Sequence, residues 1–333
     1  MNDSTSSSSP LPEGLILPNT VVWTPEIDRL ARQVAKWIRI DQPGGTVYGA
    51  QRNGKSRACS YLAGTLGSVL GYEVAVLHWT IPEQIESKQT EREFVQEQLQ
   101  QSNCPRVSGR DLAVLRRRCH AHLVELAHAC GSRRLVILID EAQNLARKQY
   151  GYLIHTFNSL EQLGVHPFFL LVGQPELRNT PVNWAEANGM QVLGRFFARE
   201  HLYRGVDVTE ITLVLQAFDV PVADDNVSVF ARAFPAAYEA GWSLEKLGRP
   251  FEEAMAMIMR QHNISKGLRL PMQYLRSTLL EVLHQALDSG KAPEMLGAAD
   301  VMRAFETSGF LRVLAYYVDT DSTRDGAAGG GKQ

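Results

Sequence analysis

The segment Gly49-Ala50-Gln51-Arg52-Asn53-Gly54-Lys55-Ser56 has the spacing G-x-x-x-x-G-K-S, and its chemistry is phosphate binding. Glycines let a backbone curl until its N–H groups point inward at phosphate oxygens. A helix starting at the loop adds the positive end of its dipole. In this arrangement Lys55 reaches the β- and γ-phosphates of a nucleotide, Ser56 places its hydroxyl on Mg²⁺, and Arg57 follows in the first turn. A glycine-rich turn with a solvated lysine would share this wording. The apolar strand before the loop and the helix after it favour the phosphate reading.

Further along, Leu135-Val136-Ile137-Leu138-Ile139 is an apolar run ending in Asp140-Glu141. Beside a phosphate loop, Asp140 is the metal-side acid and Glu141 the candidate base for the water that attacks the γ-phosphate. Many strands end in acids that merely cap helices, so the pair takes its meaning from the loop upstream. Phe168 to Val172 is another buried strand, followed by Gly173-Gln174-Pro175-Glu176. Gln174 is either a contact to the attacking water or γ-phosphate, or an ordinary turn residue before proline. In Gly194-Arg195-Phe196-Phe197-Ala198-Arg199 two arginines lie one helical turn apart. One of them, offered to a neighbouring subunit's γ-phosphate, would neutralise transition-state charge. At least one is expected to be a solvated or ion-paired surface arginine.

The elements that would position these groups alternate. Thr24, Pro25 and Glu26 open a helix to about Ile40, with Ile27, Leu30, Val34 and Ile38 on one face. Strands are predicted at Thr46–Tyr48, Glu73–Trp79, Leu135–Ile139, Phe168–Val172 and, more weakly, Glu200–Leu202. Helices are predicted at Ser56–Leu70, Asp111–Ala129 and Tyr150–Leu163, and a polar Gln/Glu-rich stretch at Ile81–Ser102. The pattern predicts an α/β domain with a mostly parallel sheet flanked by helices. After Gly205 it turns helical: Thr209–Phe218, Val227–Ala240, Leu244–Gln261, Pro271–Leu287 and Ala298–Glu306. The expected division is a flexible segment over 1–20, a nucleotide-binding core over 21–205, a helical lid over 206–310 and a tail over 311–333. Phe310, Tyr316 and Tyr317 read as closure of the lid core or as a docking segment.

With 333 residues and a formal net charge of −2, composition is ordinary for a globular protein and neither announces nor excludes a nucleic-acid partner. Cys59, Cys104, Cys119 and Cys130 form no C-x-x-C pair and read as free thiols of a reducing compartment. The Ser-rich start has no basic-then-apolar pattern, and no apolar run would cross a bilayer, so a cytoplasmic location is expected.

The loop, the strand ending in Asp140-Glu141-Ala142-Gln143, the Gly173-Gln174-Pro175-Glu176-Leu177 strand end and the Arg-x-x-x-Arg before a helical lid resemble AAA+ ATPases. The D-E-A-Q and G-Q-P-E-L wording is similar to the transposition regulators TnsC and TniB, with MuB and IstB more distant; ATPases of the ExeA type share it. The resemblance spans roughly Val21 to Glu306. It implies a P-loop AAA+ domain with a helical lid, and ATP with Mg²⁺ at boundaries of a ring or helical filament. It further implies assembly on double-stranded DNA and a bridge between a target-site selector and a transposase; the subgroup is often linked to CRISPR-guided selection. By position Arg195 or Arg199 matches the trans-acting arginine, and Arg269 or Arg276 the second sensor. The spacing at Lys266-Gly267-Leu268-Arg269 departs from the commoner G-x-x-R pattern. A secretion-linked ATPase would be expected to show a peptidoglycan-binding region or membrane anchor, and neither is expected from these residues.

A filament that tracks DNA needs cations along an inner face, contacting phosphates without reading bases. The candidates are Arg106, Arg110, Arg116, Arg117, Arg118, Arg147, Lys148 and Tyr150. The alternative is a solvated helix face, and Arg116 to Arg118 cannot all point one way on a helix. No helix-turn-helix or zinc finger is recognisable, so sequence-independent binding is expected.

Overall fold

The computed structural model describes residues 21–83, 89–181, 184, 189–221, 227–265 and 267–322, with side chains through 318. The segment before residue 21, the end of the tail and Lys266 lie outside the described residues. The chain divides into two compact units, one over Glu26–Arg204 and one that includes Gly205 onward.

In the first unit, α1 (Pro25–Arg39) buries the predicted stripe of Ile27, Leu30, Val34 and Ile38. The strands are β1 (Gly44–Tyr48), β2 (Ala75–Thr80), β3 (Arg134–Asp140), β4 (His166–Gly173) and β5 (Glu200–Leu202). They form a five-stranded sheet in the order β2-β3-β4-β1-β5, with every pairing parallel. β3 and β4 are central and covered on both faces, which explains their unbroken apolar runs. Its longer helices after α1 are α2 (Lys55–Leu70), α3 (Glu91–Gln101), α4 (Leu112–Ala129) and α5 (Arg147–Gln162).

Helix α3 lies inside the stretch read only as polar. Its start is a capping box: Thr90 Oγ1 accepts from Glu93 N–H, and the Glu93 carboxylate accepts from Thr90 N–H at 2.7 Å. Phe94, Val95, Gln98 and Leu99 form its buried side. Helix α4 starts where expected, with the Asp111 carboxylate accepting from the N–H groups of Ala113 at 2.8 Å and Val114 at 3.4 Å. Asp111→Ala is expected to cost about 1 kcal/mol of stability, read as a lower denaturation midpoint at unchanged slope.

The second unit is helical: α6 (Ile211–Phe218), α7 (Val229–Ala233), α8 (Pro235–Glu239), α9 (Gly248–Gln261), α10 (Met272–Ser289), α11 (Ala298–Thr307) and α12 (Leu314–Ser322). The helix expected over Val227–Ala240 is broken into α7 and α8, because Pro235 forces Phe234 out of helical geometry (φ −129°, ψ 57°). Asp219 braces the break by accepting from Ser228 Oγ, Tyr238 Oη and Leu244 N–H. Phe310 is fully buried against Tyr274, Phe305 and Tyr317, so the aromatic cluster closes this core; Tyr316 stays 43 % exposed. Among the described residues no helix is long and apolar enough to cross a membrane.

Candidate nucleotide site

β1 delivers the loop Gly49–Gly54, and α2 begins at Lys55. Gly49 packs so close to β5's continuation that a Cβ would run into the carbonyl oxygen of Tyr203. Asn53 Nδ2 donates to that same oxygen at 3.4 Å. Gly54, the residue before the helix, has φ 97°, a left-handed conformation that glycine adopts without strain. The loop is therefore held in shape by neighbouring backbone.

This geometry fits a nucleotide and Mg²⁺. Gly54, the N-cap of α2, offers no capping side chain, and the first turn contains no acid, so the positive end of the helix suits an anion. Lys55 Nζ donates to the carbonyls of Gly49 at 2.8 Å and Ala50 at 2.9 Å, which keeps the ammonium over the loop. Burial lowers the Lys55 pKa from its ordinary value, against the pull of Asp140 and Glu141. For Asp140, burial alone would raise the carboxyl; His78, the Ser56 hydroxyl and the Glu141 N–H outweigh it and hold the pKa below the usual value. Ser56 and an ionised Asp140 are the hard oxygen donors that Mg²⁺ prefers.

Glu141 follows β3 with φ 55° and ψ 35°, a left-handed backbone uncommon for a residue with a side chain. It is fixed by amides. Gln143 Nε2 donates to Glu141 Oε2, and Gln174 Nε2 lies 3.5 Å from the same oxygen. Gln143 Oε1 accepts from Gln174 N–H at 3.0 Å, and Gln51 Nε2 donates to Gln174 Oε1 at 2.7 Å. Glu141, Gln143, Gln174 and Gln51 thus form one network from the strand ends to the phosphate loop. Gln174 belongs to this network and is more than a turn residue before Pro175. Sequence reasoning gave no role to Gln143 or to the side chain of Gln51; the signal was present in the D-E-A-Q and G-Q-P-E-L wording, which brings these amides to adjacent strand ends.

The arginines separate. A π-helical turn spans Leu193–Phe197 and Ala198 lies past it, so Arg195 and Arg199 do not share a helix face as expected. Arg195 donates to Asn158 Oδ1 at 2.8 Å and its guanidinium sits 5.3 Å from the Phe157 ring centre. Arg199 is exposed and contacts Gln42 Oε1 at 3.1 Å. In the second unit, Arg269 pairs with Asp207 at 3.0 Å and reaches the Gly205 carbonyl at 3.4 Å. Arg276 lies on α10.

The basic set also sorts itself. Arg106, Arg110, Arg117, Arg147 and Lys148 are exposed. Arg116 forms an ion pair with Glu91, and Arg118 donates to the carbonyls of Arg106 and Ser108, so both brace the α3–α4 region. Tyr150 is 2 % exposed and packs against Trp184, Phe196 and Phe197; it is a core residue and does not present itself to a phosphate backbone. Arg147 lies over the Trp184 ring at 5.0 Å from its centre.

Residues 39–180 match the family model of the AAA domain. No curated protein matches the chain. In fold the chain is similar to the ORC2 protein of Aeropyrum pernix in its ADPNP-ADP complexes. That likeness has a TM-score of 0.55 at 14% identity and covers 90% of this chain and 70% of that one. It is also similar to the ORC1 protein of Aeropyrum pernix, solved in complex with DNA (TM-score 0.48, 15% identity, 90% of this chain and 70% of that one). The first likeness carries the comparison of fold. The five-stranded parallel sheet flanked by helices, with its helical C-terminal region, is a P-loop AAA+ fold.

Proposed function

We propose that this chain hydrolyses ATP and uses the nucleotide to control its assembly on duplex DNA as a regulator of transposition, linking a target-site selector to the transposase. The observation that supports hydrolysis best is the placement of Glu141 by Gln143 and Gln174 beside the phosphate loop. Both amides converge on Oε2, which assigns Oε1 as the atom that takes the proton of the attacking water. Lys55 moves from the loop carbonyls to the β- and γ-phosphate oxygens. Ser56 and Asp140 hold Mg²⁺, which when bound neutralises charge building on the phosphate oxygens. Gln174 orients the water or the γ-phosphate from the neighbouring strand.

Of the two arginines, Arg199 is the better trans-acting candidate, because it is exposed while Arg195 is tied to Asn158 and Phe157. Arg269, already paired with Asp207, would have to exchange that partner to serve as a nucleotide sensor. Transposition is favoured by the D-E-A-Q and G-Q-P-E-L wording, whose glutamines carry the amide network. An ExeA-type secretion ATPase or another DNA-loading ATPase is the alternative, since it would use the same network.

For DNA, the exposed cations Arg106, Arg110, Arg117, Arg147 and Lys148 are the phosphate contacts under this reading. Affinity is then expected to be indifferent to sequence and to fall linearly in log–log with salt, each contact contributing about 0.9 to the slope. Fluorescence anisotropy on unrelated duplexes with ATP across a salt series checks this. A flat salt response, or strong preference for one duplex, would count against it. Arg117→Ala should reduce the slope by about 1. Electron microscopy with a slowly hydrolysed ATP analogue, with and without duplex DNA, tests ring or filament assembly; a monomer under every condition removes the assembly claim.

A further inference from the structure

Cys59 has no part in the proposed hydrolysis, and it lies one helical turn after Lys55, fully buried. In the parallel register of β2 and β3, His78 pairs with Leu138 and Thr80 with Asp140, so His78 and Asp140 project from the same face of the sheet. Helix α2 packs against β2 and β3. As a result the Cys59 sulfur, a His78 ring nitrogen and an Asp140 carboxylate oxygen all lie within 4.8 Å of one another. The buried His78 Nε2 has no hydrogen-bond partner among the described residues; Asp140 Oδ2, at 3.7 Å, is beyond hydrogen-bond reach. The His78 side chain is 28% exposed, while Cys59 and Asp140 are buried. A thiol, an orphaned imidazole nitrogen and a carboxylate are the donors of a borderline-soft cation, whereas Mg²⁺ takes oxygen.

We propose that Cys59, His78 and Asp140 form a second divalent-cation site, one that takes Zn²⁺ in preference to Mg²⁺ and shares Asp140 with the nucleotide site. On binding, the Cys59 S–H bond breaks and its proton goes to solvent. The sulfur, the neutral His78 ring through Nε2 and one Asp140 oxygen each donate a lone pair, and water completes a tetrahedron. No electron is transferred. The side chains must close on the ion to reach bonds of about 2.0–2.3 Å. That engages the carboxylate that Mg²⁺ requires, so Zn²⁺ opposes Mg²⁺-dependent hydrolysis. This last consequence rests on reading Asp140 as the Mg²⁺ acid; the binding itself does not.

The test is a Co²⁺ titration of the full, nucleotide-free chain, followed by its thiolate-to-metal charge-transfer absorption. A band is expected that saturates at one ion per chain and is displaced by Zn²⁺ but not by excess Mg²⁺. Cys59→Ala should abolish it, and His78→Gln should weaken affinity roughly tenfold or more. Alanines at Cys104, Cys119 and Cys130 should leave it intact. Absence of the band from the unmodified chain overturns the proposal without recourse to any variant, and so does a band that survives Cys59→Ala. A chain that binds Co²⁺ in this way but never hydrolyses ATP would count against the ATPase reading, not against the site.

Discussion

Lys55→Ala is expected to remove ATP binding and, with it, ATP-dependent assembly on DNA. The ammonium is held over the loop by the carbonyls of Gly49 and Ala50, at the uncapped N-terminus of α2. Alanine has no charge to exchange from those carbonyls to a γ-phosphate. Loss of one preorganised donor to developing charge costs roughly 10²–10³-fold in turnover, and loss of ground-state contacts to the β- and γ-phosphates adds a binding defect. The thermal midpoint without nucleotide reads any separate contribution of the Lys55 bonds to loop stability. Nucleotide binding, steady-state hydrolysis and filament formation check the three parts. Unchanged assembly would remove the nucleotide-site claim.

Glu141→Gln should separate binding from chemistry. The amide is isosteric, and its oxygen still accepts from Gln143, so the network to Gln174 and Gln51 persists. What disappears is a carboxylate able to take a proton. Turnover is expected to fall by about 10²–10⁴-fold while ATP affinity stays within a small factor. Under the proposed function, in which hydrolysis disperses the assembly, the variant's assemblies should persist. Single-turnover hydrolysis and assembly lifetime are the measurements; undiminished hydrolysis would place the base elsewhere.

Much of this site was legible because its signals are local. G-x-x-x-x-G-K-S, the apolar β3 ending in Asp140-Glu141, and the Gln174 strand end each read correctly as strand, loop or helix. A parallel sheet then has to bring strand ends together. Helix α3 was missed because Gln and Glu dominate its surface and its buried side is short, although Thr90-x-x-Glu93 is a readable start. Helix α8 was merged with α7 because Pro235 was allowed inside a helical pattern. Within the basic cluster, that Arg116 would pair with Glu91 and Arg118 with loop carbonyls depends on tertiary packing. The juxtaposition of Cys59, His78 and Asp140 has the same origin, since these residues come from three elements.

The left-handed backbone at Glu141 has a consequence for durability. A side chain there stores about 1–3 kcal/mol of strain, which the surrounding strand ends must hold in place. Glycine or asparagine would relax that backbone and discard the base. Selection for heat tolerance alone would therefore drive position 141 toward an inert, longer-lived protein. Under the proposed hydrolysis, position 141 thus sets turnover against stability, the trade-off expected where a strained backbone carries a catalytic group.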